Sequence, residues 1–354
     1  GISASKLTGS LPAINGSSLT NLPSTSTADI RSASLLQITA TSNIGLGVTA
    51  LDSITTGDYN VGFGDYSLTA NTSGTMNTAL GDSAMESNTT GSYNTATGKE
   101  ALFKNTTGAE NAGISYKALH LNTTGSNNTA GGSGALYSNT TASNNTAFGA
   151  AALYANTTAG SNVAIGWASM YTNTTGQRNT SVGTNALTYS TTANDNTAVG
   201  NDSMLRNTTG YSNTAIGIYS LRQNTTGHSN VAVGQSALLN NTTATKNVAV
   251  GYNTMYDSTT ADRNTVVGYY SGQNITTGSQ NAFFGQESGQ WVTTGNNNTC
   301  VGNISGNALT TGTYNVFLGR AAGAGETSSS NQLFIARDNT GVSNAATWIY
   351  GNAA

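Results

Sequence analysis

Apolar and polar positions along this chain repeat every 17 residues, a period that fits neither an amphipathic helix nor a long strand. Asn recurs at Asn43, Asn60, Asn77, Asn94 and every seventeenth residue after that to Asn315, giving seventeen units with no insertion. The unit reads roughly N-[TV]-A-[VI]-G-x-x-[AS]-[LM]-x-x-N-T-T-G-x-x, and its positions are counted here from that first Asn. Position 13 is Thr in all seventeen units, and position 5 is Gly in sixteen, Ser115 being the exception. A fixed period with no slack means one solenoid turn per unit. Seventeen residues are too few for helical-pair repeats, which need about 30 or more. The short β-branched run N-V-A-I-G predicts a strand closed by Gly. The [AS]-[LM] pair predicts a second short strand, and N-T-T-G is turn chemistry. The expected fold is therefore all-β, a parallel β-roll or β-solenoid of seventeen coils. At about 4.8 Å per coil the rod is roughly 80 Å long. The Asn column is expected to bond coil to coil through its amides.

Two further patterns predict what packs where. Position 3 is small in the first thirteen coils (Gly45, Ala79, Ala164, Ala249), and position 9 is then Leu or Met, from Leu51 to Met255. In the last four coils position 3 becomes Val266, Phe283, Cys300 and Phe317, while position 9 becomes Gly272, Gly289, Gly306 and Gly323. Such an exchange of volume implies a shared space in a close-packed core. Position 4 is apolar in most coils too, as in Phe63, Leu80, Ile165 and Leu318, although neighbours along a strand point to opposite faces. A strand apolar on both faces needs cover on both, so a second chain is expected against the outer one.

The ends depart from the unit, as solenoid ends must to hide their last open layers. Both prolines, Pro12 and Pro23, precede the repeats, in the related segments Leu7–Pro12 and Leu19–Pro23, which suit extended chain. Ala28–Arg31 and Leu35–Ile38 suit a cap or junction. After Gly319 the register is expected to decay, with Asn331 arriving one residue early and Trp348–Tyr350 closing the chain. These features divide the chain into an extended shaft segment and cap (1–42), the solenoid (43–330) and a C-terminal capping strand region (331–354).

Composition narrows the function. Charged residues are only 8% of the 354, and the net charge of −3 leaves no cationic surplus for nucleic acid. There are 43 Gly, yet 2 Pro and no triplet period rule out collagen. No run of 18 apolar residues exists, so no membrane-spanning helix is expected, and no signal peptide is visible. Gly1 is not an initiator Met, which suggests a fragment or a processed product.

Three stretches resemble known families. Ser161–Gly166 (Ser-Asn-Val-Ala-Ile-Gly) is similar to the head repeat of trimeric autotransporter adhesins, which implies a left-handed roll and a trimer. Gly1–Pro12 resembles shaft segments of bacteriophage tail fibres. Asn331–Asn352 resembles the strand region preceding the self-cleaving intramolecular chaperone of such fibres. The resemblance implies a parallel homotrimeric fibre of a phage virion, extracellular, joined at its N-terminal end to other tail proteins and attaching to a host-surface glycan or protein. A bacterial surface adhesin head is the alternative, and an ice-binding solenoid a remoter one. Against ice binding, the Thr columns at positions 13 and 14, as in Thr157 and Thr158, are adjacent and cannot both leave one flat face.

Chemistry is sparse. His120 and His228 stand about six coils apart, Cys300 falls in the packed layer, and carboxylates are few, so no catalytic centre, metal or cofactor is expected. Asp65 and Asp82 share position 6 in adjacent coils, but Lys99 follows them and Glu100 meets Lys117, which reads as a charge ladder rather than a Ca²⁺ site. Asn-Thr-Thr triplets match the glycosylation sequon, yet turn chemistry accounts for them. One local departure from the unit suggests a ligand surface: Phe103, His120, Tyr137, Tyr154 and Tyr171 occupy position 10 in five consecutive coils, flanked by Glu86 and Thr188. Tyr and His offer a flat apolar face with a polar edge, suited to sugar rings. The alternative is that these rings lie over Leu102, Leu119, Leu136, Leu153 and Met170 and seal the core or a subunit seam.

Overall fold

The computed structural model describes residues 37–38, 42–336 and 347–352. The segments Leu7–Pro12, Leu19–Pro23 and Ala28–Arg31 lie outside the described residues. Each repeat contributes one three-residue strand at positions 2–4, from β2 (Ile44–Leu46) and β3 (Val61–Phe63) to β18 (Val316–Leu318). Strands of successive coils pair in parallel at a constant offset of one repeat, so Thr180 faces Thr197 and Ala198 faces Ala215. β19 (Gln332–Ala336) adds an eighteenth parallel strand. The sheet is closed by antiparallel strands, β1 (Gln37–Ile38) against β2 and β20 (Thr347–Asn352) against β19.

The expected second strand is absent, for a physical reason. Positions 8 and 9 are adjacent, yet both point inward: Ala84 and Met85 are fully buried, as are Ala101 and Leu102. A flat strand would turn one of each pair outward. Instead positions 7 and 9 take left-handed backbone angles, such as φ 56° and 52° at Ser83 and Met85, and this rotates the position 9 side chain into the lumen. This wall still bonds coil to coil. The position 9 amide of Leu68 donates forward to Ala84, and the position 7 amide of Ser83 donates back to Asp65. A left-handed non-glycine residue costs about 1–2 kcal/mol. Burying a Leu or Met offsets this by about 1.5–3 kcal/mol. At position 5 the demand is stricter. At φ 131° a Cβ on Gly166 would come within 2.5 Å of the Gly183 carbonyl oxygen one coil on, so a side chain there is strained; Ser115, at φ 118°, is the one that carries it.

The Asn column is an uninterrupted ladder. The Oδ1 of each position 1 Asn accepts the backbone N–H of the next, from Asn43 to Asn60 through Asn298 to Asn315, at 2.7–3.1 Å. Its Nδ2 donates to the position 15 carbonyl of its own coil, as in Asn179 to Ala193 at 2.8 Å. β19 shows which half of this matters. Gln332 stands where Asn would, and its N–H still takes the Asn315 Oδ1 at 3.0 Å. The register therefore does not decay after Gly319: Asn331 keeps the position 17 conformation, with φ 58°, and the strand continues in step. The ladder asks the next coil only for a backbone N–H, so any residue but proline can end it.

A second Asn column at position 12 bonds in the same way, Asn88 Nδ2 reaching both Asn71 Oδ1 at 2.9 Å and the Gly91 carbonyl at 3.0 Å. These are the Asn of the sequon triplets, and burial with committed amides accounts for them structurally. Ser190 and Ser258 interrupt the column. The Oδ1 atoms of Asn173 and Asn241 just below are then left buried without a protein partner, as are both serine hydroxyls. Replacing Ser190 by Asn should close the first gap, between Asn173 and Asn207, and raise unfolding free energy by about 1 kcal/mol in denaturant titration. Ser258→Asn should gain less, because its own Oδ1 would face Ile275.

The core confirms the shared space of positions 3 and 9 and adds a third partner. A Cβ on Gly289 would lie 2.4 Å from the Phe283 ring, and one on Gly323 would lie 2.6 Å from Phe317. In three of these four coils position 12 turns aliphatic, as Ile275, Val292 and Leu309, and Ile275 packs against Gly272. Phe283→Ala should cost about 3–5 kcal/mol. Adding Gly289→Leu should recover part of it, since Leu occupies the same left-handed position in other coils, as at Leu187 with φ 52°. A double variant melting no higher than Phe283→Ala would contradict the shared layer.

Candidate functional site

The position 10 side chain leaves the coil just after the inward-pointing position 9, and it reaches back over position 7 of the preceding coil. Three contacts show this 20-residue reach. His120 Nδ1 donates to the Glu100 carbonyl at 3.3 Å, Thr188 Oγ1 to the Ala168 carbonyl at 3.2 Å, and the Tyr154 ring covers Gly134. The rings thus lie across position 7 of the coil below. Nor does the core need them as a seal: Leu187 is fully buried beside Thr188, and Met85 beside Glu86.

All five aromatic residues of the column form one stack. Phe103–His120, His120–Tyr137, Tyr137–Tyr154 and Tyr154–Tyr171 have centroids 4.9–5.2 Å apart and planes within 15° of parallel. The spacing follows from the coil rise, about 4.8 Å, which is also close to ring-stacking distance. It has a consequence for binding. The inner rings spend both faces on each other, so a flat ligand could reach only their edges.

Charged groups crowd the lower end of the stack. Glu100 Oε2 lies 3.4 Å from Lys117 Nζ and 3.6 Å from His120 Nδ1, and Lys104 Nζ sits 4.4 Å from the Phe103 centroid. Burial pushes the His120 imidazole below its ordinary value, against the opposing pull of Glu100 and with help from Lys117 and Lys104. The unfolded chain therefore binds more protons than the folded one as pH falls through the ordinary value of 6.5. Stability carried by neutral His120 should be complete above pH 6.5 and decline below it. Melting curves between pH 7.5 and 5 should show that slope, and His120→Phe, which keeps the stack, should flatten it. Asp82 and Asp195 do not confuse this window. Lys99 and Arg178 hold their carboxyls below the usual 3.8, so their contribution is lost only in stronger acid.

The remaining candidates fall into structural roles. Asp65 accepts the Val48 N–H at 2.8 Å, while Asp82 pairs with Lys99 at 2.8 Å, so the two carboxylates at position 6 are separately engaged. His228 lies against Tyr211, centroids 4.5 Å apart, far along the rod from His120. Cys300 is buried, and desolvation pushes its thiol far up, which makes it inert. The position 13 threonines give their hydroxyls to the next coil, as in Thr123 Oγ1 to the Thr140 carbonyl at 3.0 Å, and only position 14 is fully exposed.

The outer strand face is the one that the apolar position 4 marks in the sequence. Positions 2 and 4 of every coil face outward, and none of these residues in any of the seventeen coils is charged. Leu80 is 50% exposed, Ile114 47% and Phe148 44%. The strip is three residues wide and runs the length of the rod, an area of roughly 800 Å². No known protein family, no characterised protein and no solved structure matches the chain.

Proposed function

We propose that this chain is a structural and receptor-binding fibre protein of a phage virion, without enzymatic activity, assembled as a parallel homotrimer. The observation that supports it best is the uncharged outer strand face. Its position 4 column is apolar in all but two coils, Thr97 and Gly131, while position 2 is Thr in nine, and a monomer rarely exposes a contiguous apolar patch of more than a few hundred Å². Roughly 800 Å² per partner is what a stable interface commonly buries. Chains set side by side in one register would lay like residues of this face around a common axis, and Leu80, Ile114, Phe148 and Ile216 would leave water together. The resemblance of both chain ends to tail-fibre segments supplies the virion setting, and a stiff rod suits reach and attachment.

Light scattering should give three times 35.9 kDa. Replacing Ile165 and Ile216 by Lys should shift the mass toward one chain while each chain keeps its β-rich circular dichroism. A wild-type mass of one or two chains would overturn the trimer.

A further inference from the structure

We infer that the two serines that interrupt the position 12 column, Ser190 in the ninth coil and Ser258 in the thirteenth, each hold one buried water molecule inside the rod. The sites are independent of the fibre reading, since they lie within a single chain. An uninterrupted coil shows what such a place demands. Asn88 Nδ2 donates to Asn71 Oδ1 in the coil below at 2.9 Å and to the Gly91 carbonyl of its own coil at 3.0 Å. That carbonyl also accepts the position 1 amide of Asn77 at 2.8 Å. One amide nitrogen at position 12 thus serves two buried acceptors.

Serine removes that nitrogen and leaves both acceptors in place. The Oδ1 atoms of Asn173 and Asn241, below Ser190 and Ser258, have no protein partner. The Ala193 and Ala261 carbonyls keep the position 1 amides of Asn179 and Asn247, at 2.8 and 2.7 Å, but not the position 12 donor that Gly91 has. Both serine hydroxyls are unpartnered too, and all four side chains are fully buried. Buried polar atoms are nearly always bonded, to protein or to ordered water. Two such sets in one column, each at a serine, point to the same missing donor.

The surrounding groups select water. Near the place of the absent nitrogen stand two acceptors, the Asn Oδ1 below and the position 15 carbonyl. The serine hydroxyl starts from the Cβ that would carry the amide. A water molecule gives one proton to each acceptor and takes the hydroxyl proton, which makes about three bonds, as internal waters commonly do. Serine has fewer side-chain heavy atoms than asparagine, so the room left suits one oxygen. A cation would be a buried charge with no counter-charge, because no carboxylate among the described residues is buried. Where the column ends, Ile275, Val292 and Leu309 fill the same place with hydrocarbon and join the core, so those coils take no water.

Oxygen-17 magnetic relaxation dispersion on the intact protein tests the assignment, because it counts waters held longer than the molecule tumbles. Ser190→Asn and Ser258→Asn each restore the residue of the neighbouring coils, so both variants should keep the β-rich circular dichroism of the wild type. Each should lower the dispersion amplitude by one water per chain, and the double variant by two. An amplitude that either substitution leaves unchanged would overturn the water at that serine. A wild-type amplitude that falls as sodium or potassium is added would assign the place to a cation and overturn the water as well.

Discussion

One amide per coil sets the geometry of this molecule. The side chain of a position 1 Asn reproduces the spacing of the backbone. Its Oδ1 stands where it can take the next coil's N–H, and its Nδ2 ties off a carbonyl fourteen residues on in its own coil, as Asn43 does with Gly57 at 2.9 Å. Because the partner above is a backbone group at a fixed rise, each coil must superimpose on its neighbour. A unit one residue longer or shorter would leave buried amides unpaired, at about 1–3 kcal/mol for each group. That penalty explains why seventeen units tolerate no insertion.

The constancy of the ladder frees the rest of the unit to vary. With backbone bonds running between coils on every side of the lumen, the core needs only constant volume. It meets that need in two ways, Gly, Ala or Ser with Leu or Met in the first thirteen coils and Phe, Val or Cys with Gly in the last four. The change of filling coincides with the loss of the second Asn column, because the aliphatic side chains of Ile275, Val292 and Leu309 occupy the space its amides used. The outer positions carry no such constraint, and there the sequence becomes local. Aromatic residues run for five coils and stop, and charges pair across one coil rise.

The aromatic stack follows from the repeat distance. Side chains in one column are held about 4.8 Å apart, close to the centroid separation of offset-stacked aromatic rings. A filled column therefore satisfies itself. The candidate column at Phe103–Tyr171 was visible in the sequence because identical positions must stack, but whether ring faces stayed open could not be read from spacing.

The sequence by itself determined the period, the number of coils, the parallel in-register sheet, the Asn ladder and the exchange between positions 3 and 9, since each follows from identical residues meeting at one repeat distance. Tertiary structure alone decided the local backbone path. Met85 and its counterparts look like strand residues, but left-handed angles turn them inward beside an Ala that is also buried, and no propensity reports that. It also decided where position 10 side chains lie, over position 7 of the coil before. It showed that Gln332 can hold the register that Asn331 had seemed to break, because the ladder reads a backbone N–H and not a side chain. Adjacency across coils follows from the repeat; direction within a coil depends on φ and ψ, which the repeat leaves open.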